Sequence, residues 1–181
     1  MGDPRLYSAI LVPTRTPEAA AREIRRVAPR HSHLAEVLLV YSGLGKPFGD
    51  PAYDPVYAAA AEVGLPIALH VGAELTCGAG RAMIGGMAGS RLEMHAVASQ
   101  PSLHRPVSLI THGTFVKYSG LKLMLSEVGV AWIPWPMFAL DAQYPILRVE
   151  SPWASSFPAR PSASTCGRRR SHASSPTSRN G

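Results

Sequence analysis

The 181-residue sequence predicts an α/β fold built on parallel strands. Short apolar runs alternate with helical stretches along the chain, which is typical of strands joined by right-handed crossover helices. The apolar runs are continuous and do not alternate with polar residues, which favours strands buried on both faces. Four such units fit either an open sheet or half of a (β/α)8 barrel, because a complete barrel takes about 250 residues.

The first half of the chain shows two strands and the helix between them. Residues 8–13 are a short apolar run and are predicted to form a strand. The sequence Thr-Pro-Glu at 16–18 then supplies a cap, a first-turn proline and an early acid, which together predict a helix start. An apolar stripe follows at Ala19, Ala20, Ile24 and Val27. Residues 34–41 are predicted to form the second strand.

The second half repeats the same pattern. A helix is predicted over 56–63 and ends at Gly64, a residue common at helix C-termini. The remaining predicted elements are a strand over 65–71, a helix over 87–113 with a break near 100–101, a strand over 121–126 and a helix over 131–144.

The last part of the chain, residues 154–181, differs in composition from the rest. It is mostly Ser, Arg, Ala and Pro, and it has no Leu, Ile, Val or Met. Such a segment buries too little apolar surface to offset its ordering entropy, so we predict a disordered tail. The tail carries five Arg and no acid, whereas residues 1–153 carry 13 Lys and Arg against 12 Asp and Glu. Because the body is nearly neutral, its charge does not indicate nucleic-acid binding.

Composition also excludes several classes of protein. Two cysteines, Cys77 and Cys166, are too few for a disulfide scaffold or a four-cysteine zinc module. We expect no membrane span, because no apolar run reaches about 18 residues. We also expect no export signal, because Met1–Arg5 contains an acid and a proline and no apolar core follows it. These observations predict a cytoplasmic enzyme or binding domain.

The candidate site residues are those predicted to lie at the carboxyl ends of the strands, where parallel α/β folds gather reactive groups. Tyr41 and Ser42 end the second strand, His70 ends the third, and Glu127 follows the fourth. His70 could bind a divalent metal or act as a base, or it could be a core histidine bonded to a backbone carbonyl. Glu127 could be a ligand, a general base or an outer-shell partner, or it could be a surface carboxylate at the start of the next helix.

Other histidines and Cys77 are weaker candidates. His31 and His33 form a His-x-His pair, but the pair precedes the second strand and so belongs to the opposite, stabilising edge of the sheet. We therefore predict that it binds no metal. Cys77 is predicted to lie in a loop beyond His70, where it could touch a substrate. Three further histidines could line the pocket, and the favoured prediction is that they are structural or exposed: His95, His104 and His112.

Several segments, taken together in their order and spacing, resemble one family. They are GDP at 49–51, YAAAAEVGLPIALHVG at 57–72, VSLITHGTF at 107–115, LKLMLSE at 121–127, GVAWIP at 129–134, LD at 140–141 and ESPW at 150–153. The pattern is similar to the amidohydrolase-related family of metal-dependent TIM barrels, which includes aminocarboxymuconate-semialdehyde decarboxylase and related hydrolases. The resemblance implies a partial (β/α)8 barrel over residues 1–153.

The resemblance also implies roles for the two candidate residues. His70 occupies the position of a ligand of the catalytic divalent metal, usually zinc. Glu127 occupies the position where the decarboxylases carry a catalytic histidine in a His-Gly-Gly turn, which reads Glu-Val-Gly at 127–129 here. The implied substrate is a small molecule, expected to be a carboxylate.

The chain departs from the family pattern at both ends. We expect the first-strand His-x-His pair and the last aspartate ligand to be missing, so that the metal site is incomplete and activity alone is doubtful. A reading-frame shift would produce a tail like 154–181, and an unbroken reading frame encoding it would refute that origin. The alternatives are a non-catalytic barrel fragment, which could form homo-oligomers, and, less favoured, binding of an anionic polymer through the basic tail.

Overall fold

The computed structural model describes residues 3, 5–40, 43–70, 89–97 and 99–153. Strands and helices alternate through these residues in the predicted order. The strands are β1 (Ser8–Leu11), β2 (Leu34–Leu39), β3 (Ile67–His70) and β4 (Leu123–Ser126). The helices are α1 (Pro17–Val27), α2 (Asp54–Glu62), α3 (Arg91–Val97), α4 (Ser99–Thr111), α5 (Thr114–Lys117) and α6 (Pro134–Leu147). Short 3-10 turns cover Ala28–Arg30, Pro51–Tyr53 and Arg148–Glu150.

The four strands form one parallel sheet in the order β1-β2-β3-β4. Helices α1 and α2 contact each other beside this sheet, and an Arg25–Glu62 ion pair joins them. A sheet whose strands keep the sequence order is typical of a sector of a (β/α)8 barrel, because a doubly wound sheet reverses its order at a switch point. The arrangement agrees with the predicted partial barrel.

Small side chains allow α1 and α2 to pack closely. Ala20 and Ile24 of α1 are fully buried, as are Ala59 and Ala60 of α2. Alanine combines the highest helix propensity with a short side chain, so these residues stabilise the helices and permit close packing against the core. Charged residues occupy the outer face of α1, where Arg26 forms an ion pair with Glu23 one turn earlier.

The prediction that every strand is buried on both faces holds for Ile67–Leu69 of β3 and is wrong for the other three strands. In β3, Ile67, Ala68 and Leu69 are all buried. In β1 only Ile10 is buried, and Leu11 is 67% exposed. In β4 no residue is fully buried. In β2 only Val37 and Leu39 are buried. The physical reason is the face of the sheet, since Ile10, Val37 and Ile67 are in register on the face that packs in the core. Leu11 and Met124 are in register on the other face and are 67% and 43% exposed, because the described residues cover that face incompletely at β1 and β4.

The helix boundaries differ from the predicted ones where prolines occur. Of the predicted helix over 87–113, Arg91–Val97 (α3) and Ser99–Thr111 (α4) are helical, and α4 runs through positions 100–101, so the break expected there is wrong. The predicted helix over 131–144 begins at Pro134 and extends to Leu147, so a proline marks its start, as Pro17 marks the start of α1.

No helix within the described residues is both long and apolar enough to cross a membrane. Residues 154–181 lie outside the described residues, so the disordered tail stays a prediction.

Candidate metal and proton-transfer site

His70 and Glu127 lie together at the carboxyl edge of the sheet, as predicted. His70 is the last residue of β3 and is paired in register with Ser126 of β4, so Glu127 is the next residue beyond that pair. The His70 Nε2 atom is 3.4 Å from the Glu127 Oε2 atom. The His70 side chain is 34% exposed and that of Glu127 is 71% exposed, so both groups are open to a ligand.

The backbone at Glu127 explains how its carboxylate comes to face His70. Glu127 has a φ of 61°, in the left-handed region, and among the described residues it is the one non-glycine with a positive φ. The next residue, Val128, is buried, and the Trp132 indole N–H donates to the Val128 carbonyl at 2.7 Å. Buried packing and this hydrogen bond therefore hold a turn that is unfavourable for a residue with a Cβ atom.

We predict that Glu127→Gly is more stable than Glu127→Ala by about 1 kcal/mol, because both variants lose the carboxylate and only alanine keeps the left-handed strain. Urea unfolding of the two variants measures the difference. Equal stability, or a more stable alanine variant, would show that the turn at Glu127 stores no strain.

Sequence reasoning missed Arg105, which lies next to the pair. Arg105 is on α4 and is only 3% exposed. Its guanidinium donates to the His70 carbonyl at 2.5 Å and to the Val40 carbonyl at 3.3 Å. The spacing of residues along α4 could have indicated its burial. Arg105 is three and four residues before Ser108 and Leu109, so the three side chains share one face of the helix, and Ser108 and Leu109 are buried.

A close contact between α4 and the segment that follows β2 sets the position of Arg105. The Gly49 N–H donates to the Ser108 hydroxyl at 2.8 Å, in a buried bond. The Tyr57 hydroxyl donates to the Phe48 carbonyl at 2.5 Å. Burial raises the pKa of Tyr57 well above its usual value, so this phenol stays protonated as a donor. The Gly49 bond fixes the segment around 48–49 against α4, and the Tyr57 bond fixes it against α2.

The other candidates are elsewhere or outside the described residues. His31 and His33 lie between α1 and the start of β2, at the edge of the sheet opposite to His70, as predicted. His95 is on α3, His104 is on the exposed side of α4, and His112 follows α4. Tyr41, Ser42 and Cys77 lie outside the described residues.

His70 and Glu127 supply some, but not all, of the ligand atoms that a metal ion would need at this edge of the sheet. An imidazole nitrogen and a carboxylate oxygen are both common ligands of divalent cations. Within the residues that the structure describes, no group of three His, Cys, Asp or Glu side chains could hold a metal ion. A catalytic zinc site normally has three protein ligands, so the described pair fits such a site only with a further donor.

Comparison with solved structures gives the same fold. A crystal structure of an amidohydrolase from Mycobacterium avium subsp. paratuberculosis matches with a TM-score of 0.63 and 25% identity, over 80% of this chain and 37% of that chain. A 5-carboxyvanillate decarboxylase from Sphingomonas paucimobilis matches with a TM-score of 0.54 and 23% identity, over 77% and 40%. This chain thus spans less than half the length of either protein. No curated protein sequence matches it significantly.

A sequence model of one family matches nearly the whole chain. The family is described as Amidohydrolase, and the match covers residues 2–178. The matched range continues past Trp153, so it does not mark the domain boundary that composition predicts there. Since the match covers far more than half of the sequence, and the parallel sheet agrees with it, the chain belongs to the amidohydrolase family.

Proposed function

We propose that this chain forms part of a metal-dependent hydrolase or decarboxylase that acts on a small carboxylate substrate. In this proposal His70 is a ligand of the divalent metal, and Glu127 transfers the proton. The observation that carries the proposal is the 3.4 Å separation of His70 Nε2 and Glu127 Oε2 at the carboxyl edge of the sheet. Family membership supports it, because the resemblance implies a metal ligand at His70.

The proposal requires at least one further metal ligand beyond the described residues. A divalent metal in the site would act as a Lewis acid on a substrate oxygen or a bound water. The imidazole of His70 suits zinc, as the resemblance implies, whereas carboxylate oxygens also suit manganese. Zinc and manganese are therefore the two cations to test.

Glu127 provides a proton donor and acceptor that either reaction needs. Decarboxylation leaves a carbanion whose carbon must be protonated, and hydrolysis needs a proton removed from the attacking water. The exposed Glu127 carboxylate can accept a proton at Oε2, and when protonated it can return it. His70 faces that oxygen, so it orients the carboxylate toward the ligand side of the sheet edge.

We expect Glu127→Gln to lower turnover by about 10²- to 10⁴-fold, because the amide keeps the shape of the side chain and cannot transfer the proton. The assay supplies zinc or manganese with a panel of small aromatic carboxylates and measures CO2 release. Esters and amides of the same acids are assayed for acid release, which separates decarboxylation from hydrolysis.

The matched control is Glu150→Gln, the same change at an exposed glutamate of the last 3-10 turn. This control is expected to leave turnover unchanged. Metal-dependent turnover that persists in Glu127→Gln would contradict the role of Glu127. The absence of turnover by the unmodified chain on every substrate would contradict the proposed activity.

A non-catalytic barrel portion is the second candidate, and the two-donor site among the described residues favours it. It predicts that the unmodified chain binds neither zinc nor manganese at micromolar concentrations. Homo-oligomer formation and polymer binding through residues 154–181 stay predictions. Sedimentation tests the first, and salt-sensitive binding that is lost when 154–181 are removed tests the second.

A further inference from the structure

Arg105 joins the ends of the two central strands. Val37, Leu38 and Leu39 of β2 pair with Ile67, Ala68 and Leu69 of β3. The next residues along each strand are therefore opposite each other, and these are Val40 and His70. Their carbonyl groups both accept from the Arg105 guanidinium, at 3.3 Å and 2.5 Å.

The environment of Arg105 shows that its position is fixed. Arg105 is 3% exposed, and its guanidinium carbon lies 5.8 Å from the centre of the Phe48 ring, in cation–π contact. The planar guanidinium presents several N–H donors in a rigid fork, so one side chain can bond two carbonyls in a defined geometry. Both bonds are part-buried, where a carbonyl group is costly to leave without a donor.

We propose that Arg105 is a positioning residue for His70, an inference that rests on the proposed role of His70 in metal binding. The bond to the His70 carbonyl fixes the peptide plane that follows the His70 Cα atom. The orientation of the Cα–Cβ bond is then fixed as well, which limits the directions that the imidazole can take to the rotamers allowed about that bond. In the rotamer present, the ring faces Glu127 across the ends of β3 and β4.

The inference predicts graded effects of two substitutions. Arg105→Met keeps an apolar stem of similar length and removes every donor, so both carbonyls lose the guanidinium bonds. Arg105→Lys keeps the charge but has a single nitrogen in place of the planar fork, so it restores only part of the geometry. Zinc affinity is expected to fall about 10- to 100-fold in Arg105→Met, as for loss of an outer-shell partner, and by less in Arg105→Lys.

The test uses the full chain, labelled with ¹⁵N in its histidine rings, and follows the ring signals by NMR without metal and during a zinc titration. In the metal-free protein, Arg105→Met is expected to shift or broaden the His70 ring signals and to leave those of His31 and His33 unchanged. Unmoved His70 signals together with zinc affinity within twofold of the unmodified protein would overturn the proposal. If Arg105→Met fails to fold, Arg105→Lys is judged by the same two criteria.

The same substitution in a protein that lacks His70 distinguishes an effect of Arg105 on His70 from a general loss of stability. In the His70→Ala protein, residual zinc binding is expected to be the same with and without the additional substitution Arg105→Lys, because Arg105 acts through His70. An additional loss of affinity in the double variant would show that Arg105 acts by another route. If the unmodified chain binds no zinc, the proposed function fails, and the metal-free NMR comparison still decides whether Arg105 orients His70.

Discussion

Replacing His70 with alanine is expected to weaken zinc binding by about 100-fold or more. Loss of an outer-shell partner already costs about 10- to 100-fold in affinity, and loss of a direct ligand costs at least as much. The His70 Nε2 atom faces Glu127 from a side chain that is 34% exposed, and alanine removes this nitrogen donor. Isothermal titration of the metal-free chain with zinc measures the change.

The matched control is the double variant His31→Ala, His33→Ala. These two histidines lie before β2, at the opposite edge of the sheet. Their removal is expected to leave the high-affinity zinc site intact. If this control loses zinc affinity while His70→Ala keeps it, zinc binds at the edge of the sheet opposite to His70, which contradicts the proposed function.

Gly49→Ala is expected to destabilise the fold by about 3 kcal/mol, at the upper end for overpacking of a well-packed core. A Cβ atom at Gly49 would overlap the Ser108 carbonyl oxygen and would lie 2.6 Å from the carbonyl carbon. Both atoms belong to the backbone of α4, so a side-chain rotation cannot relieve the clash. The helix has to move away from the segment at 48–49, and the bond from Gly49 N–H to Ser108 is lost with it.

Urea unfolding measures this effect against Gly120→Ala. A Cβ atom at Gly120 would meet no atom within 4 Å, and this glycine has no positive φ. The control is expected to change stability by less than about 0.5 kcal/mol, as is usual for surface substitutions. Similar stabilities of the two variants would contradict the close contact between α4 and Gly49.

Much of the fold could be predicted because local signals and tertiary packing agree. Thr-Pro-Glu at 16–18 predicted a helix start, and α1 begins at Pro17. The start of α6 was less predictable, because residues 131–133 are compatible with a helix and the structure makes them a turn before Pro134. The burial of the strands was mispredicted because it depends on which segments cover each face of the sheet, and local sequence does not specify those segments.

Part of the candidate site could likewise be predicted from the sequence, and part could not. His70 and Glu127 could be placed at one edge because both follow apolar strand sequences, and parallel strands end at a common edge. The left-handed backbone of Glu127 could not be predicted, because residues with a Cβ atom rarely adopt that conformation. Arg105 was missed because its bonds to Val40 and His70 join segments 65 and 35 residues apart in sequence.

The central claim is that a divalent metal binds at the carboxyl edge of the sheet through His70. Anomalous diffraction at the zinc edge, from crystals of the full chain grown with zinc, tests it most directly. The account predicts an anomalous peak about 2.0–2.1 Å from His70 Nε2, on the side that Glu127 faces. A zinc ion bound elsewhere, for example at His31 and His33, with no peak beside His70, would contradict it.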